Sequence, residues 1–233
     1  MISLIIPVYN QAAKLIKTLE SIRLQTFADY EVIIVNDGSS DNVEALFASY
    51  NKKTPDDNPY LFINQKHLGA PAARNRGLRE AKGDFLFFCD ADAALQPEAL
   101  EILWQTLNDN PGASYAYPSF YWGRKLFKVG PFERDRLTAG PYIHTMALIR
   151  RTDFPAGGWD ENIKKLQDWD LWLTMLEAEK QGVWVDQVLF KITPGGTISS
   201  WLPAAAYKYL PFLPAAKRYK QAIKIVKDKH GLA

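Results

Sequence analysis

Short apolar runs alternate with amphipathic helical stripes along the first half of the chain. This alternation constrains the fold more than any other feature of the sequence. Ile2 to Val8, Glu31 to Val35, Leu61 to Asn64 and Phe85 to Cys89 read as strands. Between them, Ala12, Leu15, Ile16, Leu19 and Ile22 form a helical stripe with Asn10 as its N-cap. Asp41 to Tyr50 reads as a second helix, and Pro71 to Ala81 as a third, ended by Gly83 at a C′ position. Pro97 opens a fourth, with Leu100, Leu103, Trp104 and Leu107 on one face. The strands lack polar alternation, so both their faces are expected to be buried. The order predicts an α/β fold with a mostly parallel central sheet flanked by helices.

The pattern loosens over residues 111–165, which are rich in aromatics and glycines. Trp169, Trp172, Leu173 and Leu176 restore a helix, and Val183 to Phe190 a strand. Residues 1–200 therefore read as one domain in two halves, 1–110 and 111–200. A helical C-terminal extension, 201–233, follows. In it Trp201 to Pro214 is rich in aromatics, alanine and proline. From Ala215 the apolar residues Tyr219, Ala222, Ile223 and Val226 oppose Lys217, Lys220, Lys224 and Lys227.

The net charge of +2 conceals this division. Residues 201–233 hold seven bases against Asp228, a charge of +6, and the first 200 residues carry −4. A near-neutral whole gives no footprint for nucleic acid, and none is expected as a partner. No apolar run reaches the roughly 18–20 residues of a membrane span, and Met1 to Asn10 lacks a basic leader. The single cysteine, Cys89, lies in an apolar strand and reads as core; it suits a reducing compartment. The expected location is cytoplasmic, at the inner face of a membrane if the tail binds lipid.

In open α/β sheets ligands bind beyond the carboxyl ends of the strands. Three polar clusters stand at such ends: Tyr9-Asn10, Asp37-Gly38-Ser39 and Asp90-Ala91-Asp92. Asp90 and Asp92 can face a hard divalent cation, which prefers oxygen ligands, or can be turn and capping acids before Pro97. Asp37 can accept a nucleobase N–H with Tyr9 stacked on the base, or can close a βα turn. Asp168 can serve as a general base or as a first-turn acid favoured by the helix dipole. Lys66, His67, Arg74 and Arg76 offer positive groups, one of which can meet a phosphate. The three histidines, His67, His144 and His230, show no zinc spacing. No Walker A or G-x-G-x-x-G pattern occurs.

Taken in order, these residues resemble the family 2 glycosyltransferases, inverting nucleotide-sugar enzymes of the GT-A fold. The resemblance rests on Ile5 to Asn10, Val35 to Asp41, Gly69 with Ala73 to Gly77, Asp90-Ala91-Asp92, Gly157 to Glu161 and Asp168 to Trp172. It implies a nucleotide-binding set of Pro7, Tyr9, Asn10, Asp37, Lys66, Arg74, Asp90 and Ala91. It further implies Asp92 at a divalent cation, manganese or magnesium, and Asp168 as the base that deprotonates the acceptor. Gly158, Trp159, Asp160 and Trp169 fall on the acceptor and donor-sugar side. The implied activity is metal-dependent transfer from a UDP-sugar to a glycan or lipid-linked acceptor in surface polysaccharide or glycolipid assembly.

Two positions depart from the family pattern. Gln167 stands where a glutamate usually precedes the catalytic aspartate, and Thr193 aligns with a histidine that helps bind metal or diphosphate. These departures keep open a non-catalytic nucleotide-sugar-binding or scaffold protein on the same fold. For the tail, a membrane-bound helix and a helix packed on the domain are both open.

Overall fold

The computed structural model describes residues 1–53, 58–195 and 212–232. Its first half alternates strand and helix: β1 (Ile2–Val8), α1 (Ala12–Arg23), β2 (Tyr30–Asp37), α2 (Val43–Lys53), β3 (Tyr60–Gln65), α3 (Ala70–Glu80) and β4 (Phe85–Phe88). β1 lies between β2 and β4 and is parallel to both, and β3 adds in parallel outside β2. Every residue of β2 is buried, as are all of β1 but Pro7, which accounts for their unbroken apolar sequence.

The second half comprises β5 (Ala93–Leu95), α4 (Ala99–Asp109), β6 (Tyr115–Trp122), β7 (Lys125–Phe127), α5 (Arg134–Ala139), β8 (Leu148–Arg150), α6 (Gln167–Glu177), β9 (Gly182–Ile192) and α7 (Pro214–Lys229). The described strands form one sheet of nine, in the order β3-β2-β1-β4-β8-β6-β9-β5 with β7 on β6. The parallel arrangement expected from sequence holds for β3-β2-β1-β4 and for β6 with β9. β8, β5 and β7 pair antiparallel, so the sheet is mixed. The loosened pattern of residues 111–165 has a local cause. Pro118 sits inside β6, and the β6–β9 register shifts on both sides of Ser119. Ser119 Oγ accepts the Val129 N–H at 3.2 Å and the Trp184 Nε1–H at 3.3 Å, covering the irregularity.

Several predicted boundaries move. Asn10 does not cap α1: that helix begins beyond Gln11, and its Ala12 N–H is accepted by Asp41 Oδ2 at 2.9 Å. Gly83 is not a left-handed cap of α3, because the chain leaves that helix extended at Ala81. Gly83 is small for a different reason. Its N–H donates to Ser3 Oγ at 2.8 Å, and a Cβ there would stand 2.7 Å from Ser3 N. Pro97 precedes α4 rather than opening it.

The apolar stripe of α7 packs on the domain: Ala216, Ala222 and Val226 are buried. Of the aromatic stretch before it, Trp201 to Pro211 lies outside the described residues. The C-terminal end of the helix is held by ion pairs. Lys229 Nζ reaches Asp160 Oδ2 at 2.8 Å and Asp170 Oδ1 at 2.7 Å. His230 places Nε2 2.9 Å from Asp170 Oδ1 and Nδ1 2.6 Å from Glu177 Oε1. Burial, the largest influence, pushes the His230 imidazole down, but hydrogen bonds and charges of Asp170 and Glu177 together outweigh it, so its pKa lies above 6.5. A raised histidine pKa contributes stability that is full below the unfolded value and is lost as pH rises through the folded one. The fall in melting temperature caused by His230→Gln should therefore be larger at pH 6 than at pH 8.5, which thermal unfolding at the two pH values measures.

Candidate active site

The carboxyl ends of β1, β2 and β4 open on a cleft of about 620 Å³. Pro7, Tyr9, Asp37, Arg74, Asp90, Ala91 and Asp92 line it from the first half of the chain, and His144, Gln167 and Asp168 from the second. Parallel pairing imposes this convergence: strands that run the same way must end on the same edge.

Asp37 ends β2 and is 2% exposed. Gln65 Nε2 and the Leu68 N–H donate to its Oδ1 at 2.7 and 2.9 Å. The Gly69 N–H donates to Oδ2 at 2.9 Å, and His67 Nδ1 lies 2.9 Å from the same oxygen. The carboxylate thus ties the β3–α3 connection to β2. Gly38, at φ +71°, is what lets the turn after β2 approach the β3–α3 connection so closely, since a Cβ there would lie 2.7 Å from His67 N. The His67 ring also stacks on Tyr9, with centroids 3.9 Å apart and planes at 22°.

Asp90 and Asp92 follow β4. Arg74 Nη2 lies 3.3 Å from Asp90 Oδ1, and the guanidinium sits 4.7 Å above the Trp159 ring. Its Nη1 donates to Gln167 Oε1 at 2.7 Å. Asp92, whose side chain is 10% exposed, has Lys14 Nζ at 3.6 Å. Burial first, and then the charge of Asp90, push its carboxyl up to about 6, against the pull of Lys14. Thr193 meets this group through its backbone, donating its N–H to Asp92 O at 2.9 Å and accepting from Lys14.

The donor set suits a hard divalent cation. Two carboxylates one residue apart, one of them raised by burial and by its neighbour, are relieved by positive charge. No group of three His, Cys, Asp or Glu side chains suited to a metal occurs among the described residues. The two carboxylates fit the mode in which magnesium takes one or two carboxylates and completes its shell from substrate phosphates and water.

Asp168 stands in the first turn of α6. The helix starts after Leu166, held at φ +59°, a conformation unusual for a side chain of its size. The Trp169 N–H donates to Asp168 Oδ1 at 2.9 Å. Burial raises the Asp168 carboxyl above its ordinary value, opposed in part by His144, by that amide and by Arg74. His144 reaches the cleft from the segment before β8. Its Nδ1 accepts the Met146 N–H at 3.1 Å, and its Nε2 lies 3.7 Å from Asp90 Oδ2.

Six residues expected at the site lie elsewhere. Asn10 is exposed, and its Oδ1 accepts the Ser40 N–H at 2.8 Å, joining the first two loops. Lys66 is exposed and does not line the cleft, whereas its neighbour His67 does. Gly158, Trp159 and Asp160 line a separate cavity of about 550 Å³ between α6 and α7. Asn75 draws them there by accepting the Trp159 N–H at 2.8 Å, and Lys229 engages Asp160. Trp169 is fully buried, its Nε1–H donated to Leu137 O at 2.6 Å. Sequence reasoning assigned no cleft role to Lys14 or His144, nor to Tyr219 of α7, which also lines the cleft. Only His67 stood in a motif that pointed toward it.

The four donors around Asp37 predict a structural cost that does not depend on any ligand. Asp37→Ala would strand four donors, the part-buried ones costing up to about 1–3 kcal/mol each. Denaturant unfolding of the free protein should show it less stable by about 2 kcal/mol or more.

The family profile described as glycosyl transferase family 2 matches residues 3–156. An uncharacterised glycosyltransferase of Haemophilus influenzae is 29% identical over 189 residues, covering 76% of this chain and 62% of its own length. One of Bacillus subtilis is 32% identical over 187 residues, covering 74% and 66%. The chain spans only 35% of a Rickettsia felis relative. Among solved structures, S. aureus TarS in complex with UDP-GlcNAc superposes with a TM-score of 0.70 at 17% identity, covering 98% of this chain and 72% of that one. The mannosyltransferase PcManGT from Pyrobaculum calidifontis, in complex with GDP-Man and Mn2+, gives 0.69 at 17%, covering 97% and 73%. The mixed sheet with flanking helices is accordingly the GT-A fold, and the chain belongs to glycosyltransferase family 2.

Proposed function

We propose that this chain moves a glycosyl group from a nucleoside diphosphate donor, a UDP-sugar, to an acceptor hydroxyl with inversion. The observation that carries this reading is the meeting of Asp37, Asp90, Asp92 and Asp168 in one cleft. Residues 1–110 supply the nucleotide side and 111–200 the acceptor side, with 201–233 as an extension. The S. aureus TarS complex with UDP-GlcNAc and the Pyrobaculum complex with GDP-Man and Mn2+ support a nucleotide-sugar donor and a divalent cation.

Tyr9 and Asp37 hold the base by stacking and by an accepted ring N–H. His67 now occupies that place, stacked on one and paired with the other. The base therefore enters as the imidazole turns outward, where it is already half exposed. Pro7 and Ala91 wall the nucleoside, and Arg74 braces Asp90 toward the ribose or diphosphate. Asp92, with Asp90 beside it, would hold manganese or magnesium, which supplies positive charge to the departing diphosphate.

Asp168 accepts the acceptor's hydroxyl proton. The freed oxygen pair forms the new bond to the anomeric carbon. The old bond's pair leaves with the diphosphate oxygen, so one displacement inverts the centre. A carboxyl raised above its ordinary value is a better proton acceptor near neutral pH. The acceptor is a hydroxyl of a surface polysaccharide or glycolipid. Lys217, Arg218, Lys220 and Lys224 on the exposed face of α7 bring the cleft to an anionic membrane, each adding about 1 kcal/mol.

Two measurements test this reading. Asp168→Asn and Asp92→Asn should each lower manganese-dependent release of UDP from a UDP-sugar by about 10²-fold or more while the melting temperature holds. Near-normal turnover by Asp168→Asn removes the base assignment. Binding without turnover across acceptors makes the chain a binding scaffold. Glutamate at Lys217, Lys220 and Lys224 together should abolish co-sedimentation with phosphatidylglycerol vesicles, and unchanged sedimentation removes the membrane contact.

A further inference from the structure

A leaving diphosphate needs hydrogen-bond donors as well as a cation, and several of those nearest the carboxylates are already engaged. Arg74 is committed to Asp90 and Gln167. Lys14 is shared among Asp92 and the carbonyls of Thr193 and Pro194. His67 is paired with Asp37. His144 is different. A backbone N–H can only donate, so the bond from Met146 N to Nδ1 at 3.1 Å makes Nδ1 the acceptor and leaves the ring proton on Nε2. That Nε2 makes no hydrogen bond among the described residues. Asp90 Oδ2, at 3.7 Å, lies beyond hydrogen-bond reach but shows that the nitrogen faces the carboxylate side of the cleft.

The surroundings fix the ring in this attitude. Phe120 and Phe190 hold it with centroids at 4.9 and 5.4 Å. Burial pushes the imidazole below its ordinary pKa, against the pull of Asp90 and Asp168. A histidine kept only for packing would have no need of a fixed tautomer with its donor turned to the cleft.

We propose that His144 is a catalytic residue which donates its Nε2–H to the diphosphate of the donor. It stabilises the charge that gathers there as the glycosyl bond breaks. It transfers no proton: the acceptor's proton goes to Asp168, and the electron pair of the broken bond goes to the diphosphate oxygen. The inference rests on the nucleotide-sugar reading above. It adds a donor that comes from the segment before β8, in a chain where Thr193 meets the same region only through its backbone.

Two variants separate this role from packing. His144→Asn keeps an acceptor for the Met146 N–H and removes the donor at Nε2. His144→Gln extends an amide N–H to about where Nε2 stood. Calorimetric binding of UDP and of UMP, each with manganese, reads the contact directly, because only UDP carries the second phosphate. Asparagine should weaken UDP binding about tenfold, the worth of one bond to a charged group, with UMP changed less than about twofold. Turnover should fall about 10²-fold. Glutamine should restore most of both. A UDP-to-UMP affinity ratio that stays at the wild-type value in the asparagine variant overturns the assignment, as does a glutamine variant no better than asparagine. Wild-type protein that binds neither nucleotide overturns the donor reading itself, and this one with it.

Discussion

The rest of the site depends on the guanidinium of Arg74. It leaves α3 nearly covered from water, at 4% exposure, and meets three separate stretches of chain. Nη2 approaches Asp90 after β4, Nη1 donates to Gln167 at the start of α6, and the flat face lies over Trp159. A buried charge is tolerated only where partners surround it, so this side chain fixes the distance between the parallel half of the sheet and the helix that carries Asp168. Gln167 matters here because it is neutral. It satisfies one donor of Arg74 without competing for its charge, and that charge is left to Asp90.

Strand direction forces four carboxylates to one edge, and each is managed differently. Asp37 is saturated by four donors from its own chain. Asp90 has an arginine. Asp92 has only a lysine at 3.6 Å and is left raised to about 6. Asp168 has one backbone amide and a buried setting that lifts it. The two well-compensated groups hold position; the two that are under-compensated stand where added positive charge or an arriving proton lowers the energy. Perturbed carboxyls gathered in a cleft are what proton transfer and cation binding require.

The parallel half of the fold was legible because burial on both faces writes itself as apolar runs. β1, β2, β3 and β4 fall within a residue or two of their expected ends. The second half, where parallel and antiparallel pairs mix, was less so, since Pro118 and the register shift at Ser119 break the period on which such reading relies. At the site, Asp37, Asp90, Asp92 and Asp168 were legible from their places at strand and helix ends. Asn10, Lys66, Gly158, Trp159 and Asp160 do not line the cleft, for one shared reason. Sequence order says which residues lie near a strand end but not which way a loop turns. Asn75 and Lys229 decide that for the 157–161 segment, from 84 and 69 residues away. His144 was illegible because what directs its donor is a backbone amide two residues on.

The basic tail resolves into three parts once α7 is placed. Its apolar stripe is spent on the domain, with Ala216 and Val226 fully buried. Its last turn directs Lys229 and His230 inward to Asp160, Asp170 and Glu177. Asp170 stands two residues beyond Asp168 in α6, so this clamp bears on the helix that carries Asp168. Tyr219, nearer the start of α7, lines the cleft itself. Among the described residues, Lys217, Arg218, Lys220 and Lys224 stay exposed with no acid of the domain paired to them. A charge of +6 summed along the sequence is therefore a poor guide to what the tail offers a partner. Some of it is neutralised by acids of the domain, and what is left is a short cationic face on a helix whose apolar stripe is already packed.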